Sequence, residues 1–272
     1  MRTLLFILFF LGGTFQSLSQ SALLSQTHGA RSHGMGSVRL FLPDSWSYFN
    51  NIGTLARVDE SGVAVGYDSR FGLKDLQTVS LASHWKNSWG SVGMGISRFG
   101  GNLFNQQSFG LGFSNQLGIV SFGAKLDWFL TQIEGFGTGN SLLFTIGGVA
   151  ELSPEVFLSA NFSNLNRAKI SRESVERLPT IVQIGFSYIP INNLQLHLEL
   201  EKGLETSASV RAGIEYRLQE WVSLRTGIKT NPGDLFFGIG LHPKQFDIDY
   251  AFGQNTALGS THHLSLGFRW QE

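Results

Sequence analysis

The chain has 272 residues, a formal net charge of +0, no cysteine, 33 glycines and 23 phenylalanines. Charged residues make up 15% of it, against roughly 25% in ordinary soluble domains. The neutral balance gives no argument for a nucleic-acid partner, and the missing cysteine removes disulfides, thiol catalysis and thiolate metal sites.

Met1-Arg2 is a short basic start, and Leu4 to Leu11 (LLFILFFL) is an apolar run. Ser17-Leu18-Ser19 then places small residues at both key positions of a cleavage site. Residues 1–19 therefore read as a signal peptide, with Gln20 as the first mature residue. The run is too short to span a bilayer, which takes about 20 residues. No later stretch approaches ~18 consecutive apolar residues. An exported chain of this kind is either soluble or a closed barrel, since only helices and barrels satisfy their backbone polar groups in lipid.

Residues 20–61 show no clear strand pattern. His28 to Gly36 (HGARSHGMG) and Ser47 to Ala56 (SYFNNIGTLA) stand out. Their glycines permit tight turns, and Asp44, Asn50 and Asn51 read as turn or capping residues. About 40 residues is long for a simple leader, so this segment is expected in or across the lumen of a barrel, as a plug.

Residues 62–272 read as a series of short alternating runs. Strands are predicted near 62–71, 76–87, 90–99, 106–116, 118–132, 141–152, 155–165, 179–190, 193–203, 207–219, 221–230, 234–242, 245–254 and 260–270. That is about 14, an even number as bacterial barrels require. Short turns such as Ser153-Pro154 and Asn231-Pro232-Gly233 separate them. Longer connections are expected at Glu134–Asn140 and Asn166–Leu178. In the last run, Leu264, Leu266, Phe268 and Trp270 share one face, and His263, Ser265, Gly267 and Arg269 share the other.

Two architectures alternate in this way. A soluble sandwich would bury the apolar face and carry more surface charge. A barrel turns that face to lipid and gathers aromatics near strand ends. Tyr48, Tyr67, Trp85, Trp89, Trp128, Tyr188, Tyr216, Trp221, Tyr250 and Trp270 are expected mostly there. The expected fold is thus all-β, a transmembrane antiparallel β-barrel of about 14 strands with an N-terminal plug-like segment.

No GxSxG, HExxH, P-loop or dinucleotide fingerprint is present, so no enzyme activity, cofactor or metal is expected. His262 and His263 are adjacent on a strand, point to opposite faces and do not share an ion. The lumen side of the second half carries Glu199, Glu201, Arg211, Glu215, Arg217, Arg225, Lys229, Asp247, Asp249 and Arg269. Their signs balance. Balanced charges on neighbouring strands pair, each pair contributing about 0.2–1 kcal/mol when solvated. A selective pore keeps an excess of one sign, so this set reads as a structural network.

The pieces HGARSHGMG, NNIGTLA, SVRAGIEYRL, SLRTGI and IDYAFGQNTALGSTHHLSLGF resemble the PorV/PorQ family of the Bacteroidetes, within the larger group of FadL-like outer-membrane barrels. Gly29, Arg31, Gly34 and Gly36 carry the N-terminal motif. Asn51 opens a second, where the family's Asn-Pro-Ala-Gly-Leu-Ala is here Asn51-Ile52-Gly53-Thr54-Leu55-Ala56, with the proline replaced. The resemblance implies a 14-stranded outer-membrane barrel in contact with lipid. It implies either an accessory of type IX secretion, holding a secreted or surface protein by its loops, or a FadL-like carrier of a lipid or other hydrophobic molecule. A carrier should line part of its lumen with apolar residues. The charged second half therefore favours the accessory role.

Overall fold

The computed structural model describes residues 26–170, 177–204 and 207–271. The signal-peptide expectation falls outside the described residues.

Fourteen strands form one closed antiparallel barrel: β1 (Ser61–Arg70), β2 (Gln77–Asn87), β3 (Gly90–Gly100), β4 (Phe104–Leu117), β5 (Val120–Ile133), β6 (Gly137–Ser153), β7 (Val156–Ser163), β8 (Ile181–Ile191), β9 (Leu194–Gly203), β10 (Ser209–Gln219), β11 (Val222–Lys229), β12 (Asp234–Leu241), β13 (Phe246–Asn255) and β14 (Gly259–Trp270). Each strand pairs with its sequence neighbours. β1 closes on β14 from Ser61↔Trp270 to Arg70↔Thr261, so the barrel has no open sheet edge of the kind that templates aggregation.

The alternation in the sequence becomes an inside and an outside. On β14, Leu264, Leu266 and Phe268 are exposed, whereas His263 and Ser265 are buried. Val210, Ile214, Leu224, Ile228, Ile248 and Tyr250 are likewise exposed on the outer wall. An apolar exterior on a closed sheet whose buried residues are largely polar inverts the arrangement of a soluble sandwich. Trp85, Trp89, Trp221, Phe246 and Phe268 ring one end, and Phe109 and Trp128 lie toward the other.

The two ends differ. At the end holding Ser61 and Trp270, the connections are short: 88–89, 118–119, 154–155, 192–193, 220–221 and 242–245. We call this the turn end. At the opposite, loop end the connections are 71–76, 101–103, 134–136, 164–180, 204–208, 230–233 and 256–258. The long connection expected over 134–140 is therefore only 134–136. Gly137 to Asn140 have no apolar alternation, yet they extend β6 by pairing with β5 through Ile133↔Gly137 and Leu130↔Asn140. Backbone pairing, not burial, fixes them as strand.

Residues 26–60 lie inside the ring of strands. They form α1 (Ala30–Gly34), α2 (Ser47–Asn50) and a 3-10 helix at Ile52–Arg57. Met35, Val38, Leu40, Tyr48, Ile52 and Leu55 are completely buried. The short helices have no length to be stable alone. Packing on the inner wall holds them.

Candidate functional site: the lumen and its mouth

The segment meets a different wall on each side. Toward β1–β6 the contact is mainly apolar: Trp46, Tyr48, Ile52, Leu55 and Val58 cluster with Ala64 and Ala82, and Phe49 packs against them. Its polar exceptions are the Tyr48 hydroxyl, which donates to Asp127 at 2.8 Å beside Lys125, and Arg57, which pairs with Glu151 at 2.7 Å. Toward β9–β14 it is ionic. Arg31 of α1 donates to both carboxylate oxygens of Glu215, at 2.9 and 2.7 Å. Arg225 donates to Glu215 at 2.5 Å and to Asp249 at 2.6 Å. Arg39 and Arg211 both reach Glu201, at 2.5 and 2.7 Å. Glu199 accepts the backbone N–H groups of Arg39 and Leu40, at 2.7 and 2.6 Å.

The ten wall residues thus occupy distinct places. Arg211, Glu215, Arg225, Glu199, Glu201 and Asp249 are tied together through the segment. Asp247 pairs with Arg269 at 2.9 Å near the turn end, and Arg269 also reaches Glu60 at 3.2 Å. Lys229 stands opposite Asp234 in the β11–β12 register. Arg217 lines a cavity of about 800 Å³ at the turn end, together with Asp44, Asp247 and Arg269. Arg31 and Arg39 were not in the wall set, because their counter-charges lie some 160 or more residues away in the chain. Balance of charge along the strands could not show that the segment supplies two of the cations. Burial, together with Arg211, pulls the Arg39 guanidinium down to about 10, while burial takes the His28 imidazole down to about 3.

The motif glycines permit close approach. Gly36 has φ +72°, and a Cβ there would sit 2.5 Å from the Ile228 carbonyl oxygen. Below the same turn, Gly213 and Gly227 are paired across β10 and β11. Met35 lies on both, and a Cβ on Gly227 would fall 2.2 Å from its carbonyl carbon. Gly29 (φ +90°) passes beneath Trp46, and Gly34 abuts Gly238 of β12. Asn51 caps the 3-10 helix by accepting the Gly53 N–H at 3.1 Å, and donates to the carbonyls of Leu40 and Gly148 at 2.9 and 3.3 Å.

The loop end holds a feature absent from the sequence reading. Phe99, Phe129 and Leu143 point inward from β3, β5 and β6 and are buried with Leu178. Leu76, Phe104, Ala168 and Ile170 pack around them. Beside this cluster the wall changes character. β7 pairs with β6 only over Ile146 to Ser153. Beyond that the 164–180 connection completes the seam: the Leu165 N–H donates to the Phe144 carbonyl at 2.9 Å, and Asn166 bonds the Phe144 N–H and the Leu142 carbonyl at 3.0 and 2.7 Å. The signal was legible in principle. Trp128-Phe129-Leu130 and Leu142-Leu143-Phe144 are apolar on both faces, where a strand with a polar lumen should alternate.

Among the described residues, His33, Asp68 and His263 bring three ligand-type atoms within 4.8 Å of one another. The two imidazoles stack face to face, with centroids 3.6 Å apart and planes 13° from parallel. An ion in the plane of one ring would lie out of the plane of the other, so the trio is a hydrogen-bonded cluster and not a formed metal centre. His262 points outward and meets the Tyr250 hydroxyl at 2.7 Å.

No family model matches the chain, and no curated protein matches it. Solved structures do. The fold is that of TbuX, CymD and TodX. The Ralstonia pickettii toluene transporter TbuX superposes with a TM-score of 0.71 at 11% identity, over 90% of this chain and 98% of that one. The CymD monoaromatic hydrocarbon channel gives 0.70 at 13% identity, over 90% and 98%. The P. putida toluene transporter TodX gives 0.66 at 11% identity, over 90% and 99%. At these identities the similarity is one of fold: a closed 14-stranded antiparallel barrel with an N-terminal segment bearing short helices.

Proposed function

We propose that the protein is an outer-membrane barrel that passes a small hydrophobic molecule from its loop end, facing outward, toward the periplasm at its turn end. The supporting observation is the inward apolar cluster of Phe99, Phe129 and Leu143, roofed by Leu178, in a lumen whose opposite wall is charged. Apolar side chains turned away from the lipid-facing surface offer a site for an apolar solute to leave water. The toluene transporters and the hydrocarbon channel that share the fold agree with this reading.

The charged lumen had favoured the accessory role drawn from the PorV/PorQ resemblance. That argument loses its premise once part of the lumen is apolar. A protein-holding role also calls for loops that reach a partner, and apart from 164–180 the loop-end connections are short.

The test is uptake of a labelled apolar solute such as toluene by cells that display the protein in their outer membrane. Wild type should raise uptake. Phe129→Asp should cut the increment by about tenfold or more, because a carboxylate beside the solute costs at least ~1.4 kcal/mol of partition free energy. Heat-modifiability on gels should show the barrel intact. No increment from correctly inserted wild type, with secretion or surface proteins recovered on affinity purification, would favour the accessory role instead.

A further inference from the structure

At the seam that closes the barrel, two imidazoles share one carboxylate. His33 comes from α1, His263 from β14 and Asp68 from β1. The His263 Nδ1 lies 2.7 Å from Asp68 Oδ1, and the His33 Nε2 lies 3.6 Å from the same oxygen. The rings are in face-to-face contact, and exposure is 4% for His33, 3% for Asp68 and 2% for His263. The remaining ring contacts are to oxygen: His33 with the Thr27 carbonyl at 3.1 Å and Ser37 Oγ at 3.3 Å, His263 with Thr261 Oγ1 at 3.1 Å.

Other groups face the cluster. From the N-terminal segment come His28 and the Gln26 amide, whose Nε2 is 2.6 Å from Thr78 Oγ1 of β2 and 3.5 Å from Asp68 Oδ2. From β1 comes Arg70, with its guanidinium over the Phe99 ring at 5.8 Å. The site therefore contains one carboxylate and, when both imidazoles are protonated, two stacked cations with a third nearby.

We propose that His33, His263 and Asp68 form a proton-sensitive latch, in which acidification releases α1 from the β1–β14 seam. One imidazolium is matched by Asp68. A second, in ring contact with the first, is matched by nothing, and separating α1 from β14 relieves the repulsion. The sign follows from linkage. Burial first, and then the neighbouring His263, hold docked His33 well below its ordinary value of 6.5. Released His33 titrates normally. The docked state binds fewer protons, so docking is strongest above about pH 6.5 and weakens by up to about tenfold per pH unit below it, until docked His33 itself protonates. His28, also buried and neutral, adds a proton in the same direction if release extends to it.

The latch is independent of what the barrel carries, and its test reads no transport. Hydrogen exchange is measured on the full-length protein in detergent from about pH 7.5 to about pH 5. Protection factors of the His33 to Val38 amides should fall by up to about tenfold per pH unit below about 6.5, while those of the β5–β6 ladder hold. His33→Gln should reduce that slope by one proton. His263→Gln should reduce it as well, since it leaves Asp68 to His33 alone. Undiminished slopes in both variants with an intact ladder, pH-independent protection in wild type, or equal loss across the whole barrel would each overturn the proposal.

Discussion

Glu215→Ala should lower stability by about 3–5 kcal/mol, the scale for breaking a buried ion pair from one side. Glu215 is the shared counter-ion of Arg31, on the N-terminal segment, and Arg225, on β11. Its side chain is 3% exposed and that of Arg225 is 0% exposed. Removing the carboxylate leaves Arg225 with Asp249, and leaves Arg31 with Asp44 at 3.6 Å. Each guanidinium then loses its shortest charge-assisted contact, 2.7 Å for Arg31 and 2.5 Å for Arg225, and keeps a single carboxylate partner. Arg269→Ala is the contrast. Its side chain is 35% exposed, so its ion pairs are screened and the loss should stay within about 1 kcal/mol. Urea titrations followed by gel mobility of the folded barrel compare the two. Equal, small losses would show that the lumen is wet enough to screen Glu215.

Gly227→Ala should displace the N-terminal segment while leaving the barrel closed. The added methyl would fall 2.2 Å from the Met35 carbonyl carbon and 2.4 Å from the Gly36 nitrogen. These are backbone atoms, which cannot rotate away as a side chain would. Gly213, paired with Gly227, leaves equally little room. The turn after α1 must therefore lift, and with it the Arg31 and Arg39 ion pairs. The expected results are protease cutting within residues 26–60, a barrel still heat-modifiable, and a higher ion conductance in planar bilayers. Wild-type protection and conductance would mean that the turn accommodates the methyl by a local shift.

Much of this molecule is written in period-two alternation. The outward Leu264, Leu266 and Phe268 and the inward His263 and Ser265 are read directly from the last strand, because lipid and lumen impose opposite demands on neighbouring residues. The even strand count and most turns follow from the same pattern. Two things were not legible, and a third showed only as a break in the pattern. The Gly137–Asn140 extension is fixed by hydrogen bonds to β5, which leave no trace in hydrophobicity. The partners of Arg31 and Arg39 depend on how the N-terminal segment threads the ring, which no local pattern encodes. The Phe99, Phe129 and Leu143 cluster breaks the alternation that served elsewhere, and such departures mark the places where function departs from the needs of folding.

The most direct test of the lipid-facing, plugged-barrel account uses the chain's lack of cysteine. Leu266→Cys places one thiol on the outer face, where Leu266 is 46% exposed. Arg217→Cys places one at the turn-end cavity. Both proteins are treated with a charged thiol reagent in permeabilised outer-membrane vesicles, so that both ends of the barrel are accessible. Rapid modification is expected at position 217 and none at 266, which lipid shields. Equal modification at both positions would contradict that account.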